Sequence, residues 1–166
     1  MIGELSLPCR YKVFDNSHSN SYQFSTSSGA DYEILFIKDN NLFISTNLES
    51  AEIYSLVINK IRKGLGGQDP EIQKTIIAIL LDFFKNQNRI LTYVYDSNDG
   101  KELVRKRMFK IWQQKTYHPD LIKLDNSIPT EDCDYHTGII FHSENHLGKQ
   151  KIIKTFELII GELTNK

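Results

Sequence analysis

The chain has 166 residues, a length typical of one domain that buries about two thirds of its unfolded surface. Its formal net charge of -1 argues against a dedicated binder of nucleic acid or of a membrane surface, and no apolar run is long enough to span a bilayer. The N-terminus lacks a signal-peptide pattern and Cys9 and Cys133 are not in a metal-binding spacing, so we expect a cytoplasmic protein with free thiols and a single domain over residues 1–166.

Residues 10–60 alternate in polarity and are rich in β-branched and aromatic side chains, which indicates strands. The alternation is clearest at Tyr11–Val13, Tyr22–Phe24 and Tyr32–Phe36, and turn-forming residues separate these segments. Residues 50–60 fit a strand or a short helix, and we favour the strand. The pattern predicts an antiparallel meander of three to five strands.

Asp69 and Pro70 combine a preferred N-cap with proline at the first helical position, and they predict a helix from 70 to about 87. Residues 76–81 are apolar on nearly every face, which is typical of a helix inside a packed core. A continuous apolar run at Arg89–Tyr95 predicts a central strand. Asp99 begins a second predicted helix that ends near Trp112.

The last third of the chain begins with residues 116–134, which contain two prolines and little periodicity and predict a long loop. Tyr135–His142 predicts a strand, and an apolar stripe from Ile152 to Leu163 predicts a C-terminal amphipathic helix. The expected fold class is therefore α+β, a mostly antiparallel sheet with three packed helices.

A basic, glycine-rich turn at residues 62–67 precedes the first helix. In sequence and position it resembles the turn of GNAT-type acyltransferases, and the order of elements is GNAT-like as well. The resemblance implies a site for coenzyme A or acetyl-coenzyme A whose pyrophosphate is bound by backbone N–H groups at the helix N-terminus. The residues implied are Arg62, Lys63, Gly64, Gly66, Gly67 and Asn98. The alternative interpretation of the turn is a flexible connection without a ligand, which the acidic N-cap Asp69 favours.

A second resemblance covers more of the chain. The chain is similar to a family of small uncharacterised bacterial proteins, mostly from Bacteroidetes. The similarity lies in the N-terminal strands, the helix from Thr75 to Phe84, the strand from Ile90 to Asp96 and the helix Arg105–Trp112. This resemblance implies a free-standing domain and no known activity.

The predicted second helix has a basic face formed by Lys101, Arg105, Lys106 and Lys110. An acidic protein partner is one interpretation, and binding of nucleic acid is a less favoured one. A third interpretation is a solvated helix face, and this is the commonest role of such a pattern.

Histidines cluster late in the chain, and His142, Glu144 and His146 are spaced by two residues near Asp134 and His136. Such a set can hold a metal, but we favour surface histidines and predict no metal site. Because no catalytic constellation is visible, the favoured function is a non-catalytic binding or interaction module with an unknown protein partner. The alternative is a divergent GNAT-like protein that binds acyl-coenzyme A and transfers the acyl group to an amine.

Overall fold

A computed structural model describes residues 2–16, 18–65, 67, 69–96 and 118–165. The strands are β1 (Ile2–Leu5), β2 (Val13–Asn16), β3 (Ser21–Ser25), β4 (Asp31–Lys38), β5 (Glu52–Arg62), β6 (Arg89–Asp96), β7 (Leu121–Pro129) and β8 (Asp134–His142). The α-helices of the described residues are α1 (Pro70–Phe83) and α2 (Lys149–Thr164), and a short 3₁₀ helix spans Asn41–Phe43. The strands form one mostly antiparallel sheet in the order β1-β2-β3-β4-β5-β6-β8-β7.

The fold class predicted from the sequence is wrong. It describes a mostly antiparallel sheet with three packed helices, with a GNAT-like order of elements as an option. The fold is α+β, but the sheet dominates it, with eight strands and with two α-helices in the part of the chain that the structure describes. The predicted helix over residues 99–112 lies outside the described residues. Two strands, β1 and β7, are absent from the sequence-based prediction.

β7 replaces most of the loop predicted for residues 116–134. Its register on β8 pairs Leu121 with His142 and Pro129 with Asp134. Pro119 precedes the strand and Pro129 is its last residue, on the outermost strand of the sheet, where a missing N–H interrupts no ladder. The two prolines therefore mark the ends of a strand.

The other predicted elements are close to the observed ones. Residues 52–62 form β5, so the preference for a strand over a helix is confirmed. α1 begins at Pro70 with Asp69 as its N-cap, as predicted, but ends at Phe83. The strand near residue 90, the strand near residue 135 and the C-terminal helix are also confirmed.

The chain divides into two compact units. Unit 1 comprises residues 1–37 and 55–85, and unit 2 comprises residues 38–54 and 86–166. The boundary falls inside β5. The single-domain prediction for residues 1–166 stays a prediction.

Unit 1 has an aromatic core between α1 and the meander. The rings of Phe36 and Phe83 stack with centroids 3.9 Å apart, and the edge of Tyr22 lies on Phe36 at 5.6 Å. The buried residues of α1 are Thr75, Ile76, Ala78, Ile79, Leu80 and Phe83. The helix that is apolar on most faces is thus a core helix, as its sequence predicts.

Unit 2 has a core between α2 and one face of β6, β8 and β7. Its fully or largely buried members are Phe43, Leu48, Ala51, Ile53, Ile90, Ile139, Phe141, Ile152, Phe156, Ile159 and Ile160. Thr155 of α2 donates a hydrogen bond to Asn47 Oδ1 at 2.8 Å, which fixes the segment 38–54 on the helix. Among the described residues, no helix has the length and apolar character needed to cross a membrane.

Candidate functional site

The start of α1 is stabilised by the chain's own residues. The Asp69 carboxylate accepts a hydrogen bond from the Glu71 N–H at 2.9 Å and another from the Tyr11 hydroxyl at 2.5 Å. A carboxylate at this position also interacts favourably with the positive end of the helix dipole. Asp69 therefore performs at this helix the capping role that its sequence position predicts.

The glycine-rich turn carries the residues predicted to bind coenzyme A. Arg62 Nε lies 3.0 Å from Asp31 Oδ2 and donates to the Gly29 carbonyl at 3.1 Å. A Cβ atom at Gly64 would lie 2.8 Å from Ala30 N and 2.9 Å from Ser28 O, so this glycine allows the close approach of the turn to residues 28–30. Lys63 and Gly67 are exposed. The structure thus shows Arg62 in an ion pair on the surface and Gly64 in a close packing contact.

Some predicted site residues lie outside the described residues. These are Gly66 and Asn98 of the coenzyme A prediction and Lys101, Arg105, Lys106 and Lys110 of the partner prediction. The coenzyme A site and the basic partner surface therefore stay predictions.

The late histidines take part in local hydrogen bonds. His142 Nδ1 accepts from the Glu144 N–H at 3.1 Å, and His146 Nδ1 lies 2.7 Å from Asn88 Oδ1. In the described ranges no three His, Cys, Asp or Glu side chains lie together in a way that could hold a metal ion.

Unit 2 contains an apolar cavity of about 310 Å³ beside α2. Its lining residues are Leu42, Phe43, Val94, Ile128, Thr130, Tyr135, Thr137, Phe156, Ile159, Ile160 and Leu163. The volume is at the lower end of the range for small-molecule sites in proteins.

The sheet register explains how the cavity walls come together. Thr137 of β8 lies opposite Val94 of β6, and Tyr135 of β8 lies opposite Ile128 of β7. Because side chains alternate across a strand, these four residues share the face that α2 covers. The helix completes the cavity with Phe156, Ile159, Ile160 and Leu163 from successive turns, in a sequence stripe with helical spacing.

The cavity has a buried interior and an exposed apolar rim. Phe43, Phe156 and Ile160 are buried, whereas Val94 and Leu163 are exposed. None of the described residues that line the cavity carries a charge. The arrangement favours a neutral, apolar occupant.

One polar group breaks the apolar lining. Thr137 is 4% exposed, and its Oγ1 atom has no hydrogen-bond partner in the described part of the chain. A buried hydroxyl without a partner costs about 1–3 kcal/mol, so such groups are uncommon in native proteins. A ligand in the cavity could pair with this hydroxyl, which both donates and accepts.

A polar cluster lies on the opposite face of the same strands. Lys123 Nζ of β7 lies 3.0 Å from Asp125 Oδ2, and the Tyr93 hydroxyl of β6 donates to Asp125 Oδ1. Burial lowers the pKa of Lys123 to about 8 and raises the pKa of Asp125 above its ordinary value. Desolvation therefore outweighs the attraction between the two groups.

Gly138 makes this cluster possible. It lies on β8 between Tyr93 and Asp125 in the register of the three strands. A Cβ atom at Gly138 would overlap the Tyr93 side chain and would lie 2.6 Å from Leu124 O. The absence of a side chain at this position lets the tyrosine lie across β8 and reach β7.

Neither the cavity nor the polar cluster is predicted from the sequence. Both depend on β7, whose residues the sequence predicts as a loop because of Pro119 and Pro129. The sequence does contain a usable signal, since Ile122, Leu124 and Ile128 alternate with polar residues as in a half-buried strand. The cross-strand register that places Thr137 and Gly138 is not encoded in any local pattern.

Comparison with known proteins gives a family but no activity. None of the curated proteins matches the chain. A family model, described as a family of unknown function (DUF6169), matches residues 68–158, which is more than half of the chain. The matched region begins one residue before Asp69, the N-cap of α1, contains α1, β6, β7 and β8, and ends within α2. The chain therefore belongs to DUF6169, a family of unknown function.

Proposed function

We propose that this protein is a binding module that takes a small, neutral, largely apolar molecule into the cavity beside α2. The single observation that carries the proposal is the buried Thr137 hydroxyl, which lacks a partner in the described part of the chain and lies in an otherwise apolar lining. A ligand with an apolar body and one hydroxyl, amide or carbonyl group would satisfy it.

The charge of the ligand follows from the lining. Transfer of a carboxylate or ammonium group into an apolar cavity is costly unless a protein group of opposite charge compensates for it. The described lining offers none. The cavity therefore favours alcohols and amides over fatty acids and phosphorylated molecules.

The compartment and source of the protein are part of the proposal. A bacterial cytoplasm keeps thiols reduced, and Cys9 and Cys133 are free in the structure. A neutral metabolite of low polarity enters such a compartment without a transporter, so the module would meet it there.

The test compares hexanol with hexane, which differ by one hydroxyl group, by titration calorimetry on the whole chain. We expect both to bind, because both fill the apolar cavity. In Thr137→Val, the affinity for hexanol relative to hexane should fall about fivefold to tenfold, as expected for one lost hydrogen bond of about 1 kcal/mol.

Two control variants locate the effect. Ile160→Trp fills the cavity and should remove the binding of both molecules. Thr92→Val changes another buried threonine of the same sheet, outside the cavity lining. This variant should leave the affinity for hexanol relative to hexane unchanged. The proposal is wrong if neither molecule binds, or if Ile160→Trp binds both as before.

A further inference from the structure

The polar cluster on β6 and β7 has a chemistry that the cavity does not use. It places a primary amine, a carboxylate and a phenol on the sheet face opposite α2, because Lys123 and Asp125 alternate with Ile122 and Leu124, which pack against the core of unit 2. The cluster is therefore separate from the cavity.

Lys123 has the surroundings of an amine that reacts as a nucleophile. Its side chain is 17% exposed, with Tyr93 beneath it, the ammonium nitrogen 5.6 Å from the ring centroid. Burial lowers its pKa to about 8, so a larger share is unprotonated near neutral pH than for an ordinary lysine. A neutral lysine in a partly desolvated site attacks carbonyl carbon and forms a Schiff base.

Asp125 is placed to move the protons of that reaction. One oxygen lies 3.0 Å from the amine, and the other accepts the hydrogen bond of Tyr93. The hydrogen bond from Tyr93 fixes the orientation of the carboxylate, and the absence of a side chain at Gly138 provides the space for this tyrosine. The carboxylate is also the more exposed member of the pair, so it can reach a molecule that arrives from solvent.

We propose that Lys123, with Asp125 as its proton carrier and Tyr93 as the group that positions Asp125, is a covalent site for small aldehydes. The Lys123 ammonium first gives a proton to Asp125. The amine lone pair then forms a C–N bond to the aldehyde carbon, the carbonyl electron pair moves to oxygen, and a proton passes from nitrogen to that oxygen. Asp125 returns its proton to the hydroxyl group, water leaves, and the nitrogen lone pair closes the C=N bond. The products are one protonated imine and one water molecule.

The test traps the imine on the whole protein. The protein is incubated with propanal and cyanoborohydride at about pH 7, and alkylation of each lysine is followed by peptide mass mapping. We expect Lys123 to react about tenfold faster than the exposed Lys12, Lys74 and Lys85 in the same sample. Equal or slower alkylation of Lys123 overturns the proposal, and this comparison needs no variant.

Asp125→Asn separates a proton carrier from a merely unprotonated amine. Loss of the negative charge leaves more of the amine neutral, so a simple reactive lysine would be alkylated faster in the variant. The proposal requires the opposite, a slower alkylation of Lys123, because the proton carrier is gone. Tyr93→Phe keeps the ring and removes the hydroxyl, and a smaller decrease is expected. Faster alkylation in Asp125→Asn would contradict the proposal.

Discussion

At the scale of single residues, Thr137 and Thr92 form a matched pair. Both are 4% exposed on neighbouring strands, but Thr92 Oγ1 donates to the Tyr54 carbonyl at 3.2 Å, whereas Thr137 Oγ1 has no partner in the described residues. Thr137→Val should raise the free energy of unfolding by about 1 kcal/mol, and Thr92→Val should lower it by a similar amount. Urea unfolding measures both changes. A loss of stability in Thr137→Val would show that its hydroxyl is already satisfied in the free protein.

Lys123 gives the molecule a predictable dependence on pH. Below about pH 8 the side chain is protonated in both the folded and the unfolded chain, and folding bears the cost of its burial. Between about pH 8 and the ordinary lysine value of 10.5, the folded chain has lost the proton while the unfolded chain keeps it. The free energy of unfolding should therefore rise across this interval, by about 3 kcal/mol in all.

The measurement is the free energy of unfolding of the wild type minus that of Lys123→Met. Both are determined by urea unfolding from about pH 7 to 10. The difference is needed because burial raises the pKa of Cys9, which makes stability fall as pH rises and opposes the effect of Lys123. Cys9 is common to both proteins and cancels. Lys85→Met, at an exposed lysine, is the control and should leave the curve nearly parallel to the wild type. If the free energy of unfolding of Lys123→Met depended on pH in the same way as that of the wild type, this result would contradict the burial of the amine.

At the scale of secondary-structure elements, two glycines in unit 2 have opposite roles. Gly138→Ala in β8 places a methyl group on Tyr93 and on the Leu124 carbonyl, and should lower the free energy of unfolding by about 1–3 kcal/mol. Gly161→Ala in α2 meets no atom within 4 Å and should raise it by about 0.5–1 kcal/mol, because alanine favours the helix. Thermal unfolding compares the two. Equal effects would mean that Tyr93 does not lie across β8.

The secondary-structure elements also show which parts of the fold the sequence predicts and which parts it does not. α1 is predicted well because its cap, its proline and its apolar centre indicate the same element. The prediction misses β7 because Pro119 and Pro129 outweigh the weak alternation of apolar and polar residues between them. Proline is nevertheless compatible with the end of an edge strand. The fold class fails for the same reason, since a missed strand makes a sheet-dominated protein look more helical than it is.

The candidate sites are less predictable than the elements. The ligand prediction for the glycine turn depends on glycine and basic residues that precede a helix, and it stays a prediction. The structure adds the close contact of Gly64 with residues 28–30, which no local pattern indicates. The cavity and the Lys123 cluster each combine residues from at least two strands. Such combinations depend on strand register, which the sequence does not specify locally.

At the scale of the whole molecule, the boundary between the two compact units falls within β5. Residues 52–54 belong to unit 2 and residues 55–62 to unit 1, so neither unit can lose this strand without affecting the other. We therefore expect one cooperative unfolding transition, in agreement with the single-domain prediction.

Matched core variants test this expectation. Ile79→Ala in unit 1 and Ile139→Ala in unit 2 each remove a fully buried isoleucine and should lower the free energy of unfolding by about 2–5 kcal/mol. Both should lower the midpoint of the same single transition in calorimetry. Two transitions, of which each variant shifts only one, would show that the units unfold independently.

The order β6-β8-β7 has a consequence for synthesis on the ribosome. β7 leaves the ribosome before β8 but occupies the outer position of the sheet, so it cannot pair with β6. The exposed edge of β6 must wait until the β7–β8 hairpin has formed and joins it as a unit. By contrast, β2, β3 and β4 each pair with the strand made just before them. The first four strands can therefore assemble during translation, and the addition of the hairpin to β6 is the later, slower step.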